Sequence, residues 1–178
     1  MNMKRSRRVI LALTLLALLP GLAGCGFKPL YGRQDGDLTV SEFSRVSIEQ
    51  AENRTTQLVR NHLLDMLTPL GAPEKPLYRL ELRVIENISN VLVTRSDEVT
   101  RNNLAMQIAY RLHDYRSGTI ISQGNVSSLV SYNLVRADYA NLVSERDART
   151  RAARDGAEQL RIVLGNFFSR RQNSQKPG

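Results

Sequence analysis

The spacing of apolar residues changes several times along the chain, and each change marks an element. Through Phe43-Ser44-Arg45-Val46-Ser47-Ile48 apolar and polar residues alternate loosely, which predicts a first strand. Val59, Leu63, Met66, Leu67 and Leu70 then recur at three- and four-residue spacing. That is the apolar stripe of a helix running to about Leu67, with Asn53 placed to cap its start. The stretch Thr68 to Pro76 holds three prolines and reads as loop, because proline cannot continue a helix.

From Tyr78 the period becomes two. Tyr78, Leu80, Leu82 and Val84 share one face, and Arg79, Glu81 and Arg83 share the other. The phase slips near Ile85, after which Val91 and Val93 are apolar on the formerly polar face, and this predicts a bulge or strong twist between Glu86 and Ser89. A second alternating run places Leu104, Met106, Ile108, Tyr110 and Leu112 together. A third, Thr119 to Val135, is rich in Ser, Thr and Val and has apolar residues on both sides. Tyr115 to Gly118 predicts the hairpin turn between these runs, and Ser96 to Thr100 predicts the one before.

The last helix is expected to start at Ser144, with Asp147 in a capping-box-like position. Its stripe is Ala153, Ala157, Leu160, Leu164 and Phe167. The pairs Glu145/Arg149, Asp147/Arg151, Arg151/Asp155 and Arg154/Glu158 stand four apart and read as a solvated face. Gln172 to Gly178 lacks a large apolar residue and is expected to be a disordered tail. The predicted fold class is α+β, a four-stranded, largely antiparallel sheet with two helices packed on one face.

The front of the chain is different in kind. Lys4, Arg5, Arg7 and Arg8 precede an uncharged run from Val9 to Leu19, and Leu22-Ala23-Gly24-Cys25 follows. A charged start, a short apolar core and small residues before a cysteine describe an export signal, here residues 1–24, cleaved before a lipid-bearing Cys25. A buried core thiol is the plainer alternative for Cys25. With each buried acyl methylene contributing about 0.8 kcal/mol, several chains hold a protein stably at a membrane. The expected organisation is an anchored extended arm at 25–37, one domain at 38–171 and the tail at 172–178.

Composition sharpens this picture mainly by exclusion. The formal charge of +8 across 178 residues falls to +4 across 154 once the signal is removed, which weakens a nucleic-acid reading. Trp is absent and aromatics are 6%, so a base-stacking platform is poorly supplied and no nucleic-acid partner is expected. One cysteine allows no internal disulfide. The only histidines, His62 and His113, lack the companions a metal site needs, and no phosphate loop or nucleophile elbow occurs. The expectation is a non-enzyme with no cofactor and no metal.

The mature start reads Cys25-Gly26-Phe27-Lys28-Pro29-Leu30-Tyr31-Gly32. This stretch resembles the start of the LPS-assembly lipoproteins of the LptE family. The resemblance implies the same α+β architecture, an LptD-like outer-membrane β-barrel as partner, with the lipoprotein as its plug, and binding of LPS. It also implies location at the outer membrane, facing the periplasm, since Gly26 is not the acidic residue that retains lipoproteins at the inner membrane. Arg95 and Arg101 flank a hairpin tip and could fork onto lipid A phosphates, although pairing with Asp97 and Glu98 is the competing reading. Val91, Val93, Leu129 and Val135 have no obvious place under two helices. With Asn90, Ser127 and Ser131 they suggest that the outer sheet face and hairpin tips meet the polar wall of the barrel, against the alternative that twist buries them. The rival function is a generic envelope lipoprotein, such as an auxiliary solute-binding subunit of a lipid transporter.

Overall fold

A computed structural model describes residues 41–91 and 100–175, all within the second of the chain's two units, Gln34–Gly178. The element order is β1 (Val46–Ile48), α1 (Arg54–Leu67), β2 (Tyr78–Val91), β3 (Thr100–Asp114), β4 (Ile120–Leu134) and α2 (Asp138–Gln175). One four-stranded sheet has the order β1-β2-β3-β4, with β1 parallel to β2 and the other pairs antiparallel. Both helices pack on the same side, α1 over β1 and β2, α2 over β3 and β4, and they touch each other. The expected α+β class is the observed one.

Local chemistry sets the element ends. Asn53 is extended (φ −143°) and its side chain accepts from the backbone N–H of Thr56 at 2.8 Å, the cap expected for α1. Thr68 closes the helix by donating its N–H to Leu64 O at 2.9 Å. Leu70 lies past that stop and is fully exposed, so it leaves the predicted stripe. At the β3–β4 turn, Asp114 Oδ1 accepts from the backbone N–H groups of Arg116 and Ser117 and from the Ser117 hydroxyl. Gly118 takes φ +70°, where a side chain would be strained. The Ser117 backbone N–H foremost, then its hydroxyl, holds the Asp114 carboxyl below its usual range.

Of the bulge or strong twist expected between Glu86 and Ser89, the bulge is not there. β2 stays in register with β3 from Tyr78↔Asp114 to Val91↔Arg101. The phase does not slip at Ile85; Glu86, a charged residue on the apolar phase, points to the helix side and meets Arg149 of α2, whose Nε lies 3.1 Å from the carboxylate. The irregularity falls instead at Leu112/His113, where Ile121 is the extra residue of β4.

α2 also departs from expectation at both ends. It starts at Asp138, six residues before Ser144, because Asn141 holds the strand-to-helix junction: its side chain accepts from Val135 N–H and donates to Val135 O, each at 2.8 Å. It runs on through Gln175, so residues 172–175, expected to be disordered, are helical; the end of the helix is fixed upstream, where Phe168 is buried against Phe43 and Tyr78. Phe168, rather than the half-buried Phe167, completes the stripe. Three of the four expected i,i+4 pairs form, Arg151 turning back to Asp147 rather than on to Asp155. Arg149 is not part of a solvated face, since it bridges Glu145 to Glu86.

The core lies between the helices and the inner face of the sheet. Leu80, Leu104, Met106, Ile108 and Leu112 meet Val59 and Leu63 of α1 and Ala148, Ala152, Ala153, Ala157, Leu160 and Leu164 of α2. Small residues let α2 approach closely: a Cβ on Gly156 would overlap Ile108 Cδ1.

Candidate interaction face

With both helices on one side, no element among the described residues covers the other side of β2, β3 and β4. The registers place its side chains in rows. Arg79, His113 and Ile120 form one, followed by Glu81, Arg111 and Gln123, then Arg83, Ala109 and Asn125, then Ile85, Gln107 and Ser127. Asn87, Ala105 and Leu129 come next, then Ser89, Asn103 and Ser131, and finally Val91, Arg101 and Asn133.

Two halves of this face differ in chemistry. Near the Asp114 turn, charges are paired: Glu81 lies 3.4 Å from Arg111 and Arg79 lies 3.3 Å from Glu49, while the His113 ring stands 3.3 Å from the other Glu81 oxygen. His113 is nearly buried, its Nδ1 donating to Gly118 O at 3.2 Å, so it serves the turn. Farther along, Ala109 on the middle strand lowers the floor between longer neighbours. Two adjoining hollows of about 400 and 390 Å³ result, sharing Arg83, Ala109 and Asn125. Among the described residues Arg83 has no carboxylate partner. Ile85 and Leu129 stand 60% and 67% exposed beside this trough, next to the amides of Gln107 and Asn125 and the Ser127 hydroxyl. Such a surface offers hydrogen bonds and modest apolar area together, without a buried reactive group.

Several expected contact residues lie where the alternation of the strands puts them. Ser127 and Ser131 are on the open face, and Ser131 donates to Asn103 Oδ1 at 2.6 Å. Asn90 is not: it pairs with Asn102 on the helix side of the sheet, where it is exposed. Ser128, another of the polar strand residues, is buried beneath α2 near Gly156. Arg101 is exposed in the last row of the open face. Val91, Leu129 and Val135 are exposed, so twist does not bury them. Cys25, Arg95 and Val93 lie outside the described residues. No motif in the sequence marks the trough; its one signal is Ala109, a small residue on the polar phase of β3.

Among the described residues no group of three His, Cys, Asp or Glu could hold a metal, and no helix is long and apolar enough to cross a membrane.

No family model and no curated protein matches the chain. Solved structures do match. A protein of Caulobacter crescentus CB15 described as a lipoprotein superposes with a TM-score of 0.64 at 23% identity, covering 76% of this chain and 98% of that one. A minor lipoprotein of Acinetobacter baumannii gives 0.54 at 16% identity, over 70% and 94%. Lipoprotein B of Nitrosomonas europaea gives 0.52 at 16% identity, over 76% and 91%. This chain shares their fold. The fold is matched over nearly the whole of each of these proteins.

Proposed function

We propose that this chain is a lipoprotein of the outer membrane, anchored through lipid on Cys25 and facing the periplasm, that binds LPS and acts with an LptD-like β-barrel, as its plug, in assembling LPS at the cell surface. The observation that carries this reading is the run Cys25 to Gly32 directly after an export signal. The fold shared with bacterial lipoproteins is consistent with it. The open face supports the plug: its Ser, Asn and Gln side chains and small alanines suit the polar lumen of a barrel. Ser127 and Ser131 meet the wall, Asn90 contributes from the end of β2, and Arg101 with Arg95 offers guanidinium groups to lipid A phosphates. In this role the protein is not an enzyme and needs no cofactor.

The test is co-purification after gentle detergent extraction, with photocrosslinkers at Ser127, Ser131 and Asn90. Recovery of a large β-barrel, crosslinked from Ser127 and Ser131 but not from Arg154 on the exposed side of α2, is the expected result. Recovery of inner-membrane transporter subunits would favour the generic envelope lipoprotein instead. Crosslinks from Arg154 alone would overturn the placement of the contact.

A further inference from the structure

β4 is an edge strand, and an unusual one. It is 15 residues long, its far side has no neighbour in the sheet, and among the described residues no backbone group of another element bonds to residues 120–134 from that side. Exposed edges are ordinarily blunted by charge, proline, bulges or shortness. β1, the opposite edge, uses shortness, with three residues. β4 uses almost nothing. From Thr119 to Val135 there is no charged residue and no proline, and the bulge at Ile121 leaves the strand beyond it regular. The other strands carry the charges: Arg101, Arg111 and Asp114 lie on β3, which is paired on both sides, and Arg79, Glu81, Arg83 and Glu86 lie on β2, which β1 covers only at Tyr78–Leu80, so that Arg83 and Glu86 stand on the part of β2 beyond β1. α2 meanwhile buries Val126, Ser128, Val130 and Tyr132 on the inner side, so the edge is held firmly in place.

We propose that β4 pairs with β4 of a second copy of this chain, antiparallel across a two-fold axis, to form a continuous eight-stranded sheet. The strand is complementary to itself. A two-fold axis perpendicular to the sheet keeps the helices of both copies on one side, and its pairing must set even-numbered inner residues against even-numbered inner residues. Centred on Ser127, it places Val126 opposite Ser128, Gly124 opposite Val130, Asn125 opposite Leu129 and Gln123 opposite Ser131. No charge faces a charge at any position, so nothing in the strand opposes self-pairing. The occupant is matched in length and polarity by the strand itself. The pairing belongs to the free chain and does not depend on the barrel reading.

The full-length chain, extracted in non-ionic detergent, is compared by sedimentation across concentration, with single cysteines placed at Gln123, Asn125, Ser127, Leu129 or Ser131. A concentration-dependent dimer is expected, with self-crosslinking that peaks at one position and falls away on both sides, while Asn87→Cys and the parent chain stay uncrosslinked. For a peak at Ser127, Asn125→Lys with Leu129→Lys sets lysines against lysines and should raise the dissociation constant at least about tenfold. Asn125→Lys with Leu129→Glu sets opposite charges together and should restore the dimer, which separates repulsion from misfolding. A chain that stays monomeric at every concentration, a flat crosslinking profile, or a dimer indifferent to both charge pairs overturns the proposal.

Discussion

Two side chains show how single residues hold this fold and how that can be measured. The Tyr78 hydroxyl donates to Glu42 Oε2 at 2.8 Å beside Phe168. Burial first, then the bond to the Glu42 carboxylate and its charge, push its pKa up to about 12. A raised pKa means the fold prefers the neutral phenol. The stabilisation is therefore complete below the ordinary value near 10 and is lost as pH climbs from there towards 12. In an absorbance titration at 295 nm, Tyr78→Phe should remove the tyrosinate signal that rises only near pH 12, and identical alkaline limbs would contradict this. Arg149 is the second case. Burial disfavours its charge, yet Glu86 and Glu145 outweigh that and keep its pKa above the ordinary arginine value. Arg149→Met leaves Glu86 on the helix side without its guanidinium. The side chains are 27% and 29% exposed, so the expected cost in urea denaturation is about 2 kcal/mol, less than for a fully buried pair. Adding Glu86→Gln should recover part of the loss. Full additivity would mean the two do not interact.

At the scale of elements, the closest approach is between α2 and β3. Gly156 costs helix propensity of about 1 kcal/mol relative to alanine, but a Cβ there would overlap Ile108 Cδ1. Gly156→Ala alone should therefore lower stability by about 1 kcal/mol, because the isoleucine must leave its place in a packed core. In an Ile108→Val background, where that methyl is gone, the same substitution should raise stability. A change of sign in thermal denaturation identifies the contact, and equal effects in both backgrounds would refute it. This contact also marks what the sequence makes legible. The period-two runs from Tyr78 and Leu104, the Asn53 cap and the Tyr115–Gly118 turn depend on neighbours in the chain, and all were readable. The unbroken register of β2 was not, since Glu86 is accommodated by a residue 63 positions away. Nor was the start of α2, where Tyr139, Leu142 and Val143 are largely exposed and carry no buried stripe. Composition groups Asn90 with the open face, whereas strand parity places it on the other.

For the whole molecule, the central fact is that one side of the sheet is core and the other is open, although both carry apolar residues. Val130 is buried under α2 and Leu129, its neighbour in β4, is 67% exposed; Val84 and Ile85 repeat the contrast on β2 at 6% and 60%. Burial predicts opposite consequences for the same chemical change. Val130→Ser removes buried apolar area and leaves a hydroxyl beneath the helix, so a loss of about 2–4 kcal/mol is expected in urea denaturation. Leu129→Ser and Ile85→Ser exchange side chains already in water and should stay within about 0.5 kcal/mol of the parent. If the open face is a contact surface, these two substitutions should instead weaken recovery of the barrel after gentle extraction. Ser127 and Ser131, in the rows on either side of Leu129, share that face and should behave alike. Destabilisation by Leu129→Ser comparable to Val130→Ser would make the face a structural layer rather than an interface. Unchanged stability with unchanged recovery of the barrel would remove the open face from the contact. Only stable folding combined with lost recovery is consistent with a surface whose apolar residues serve binding.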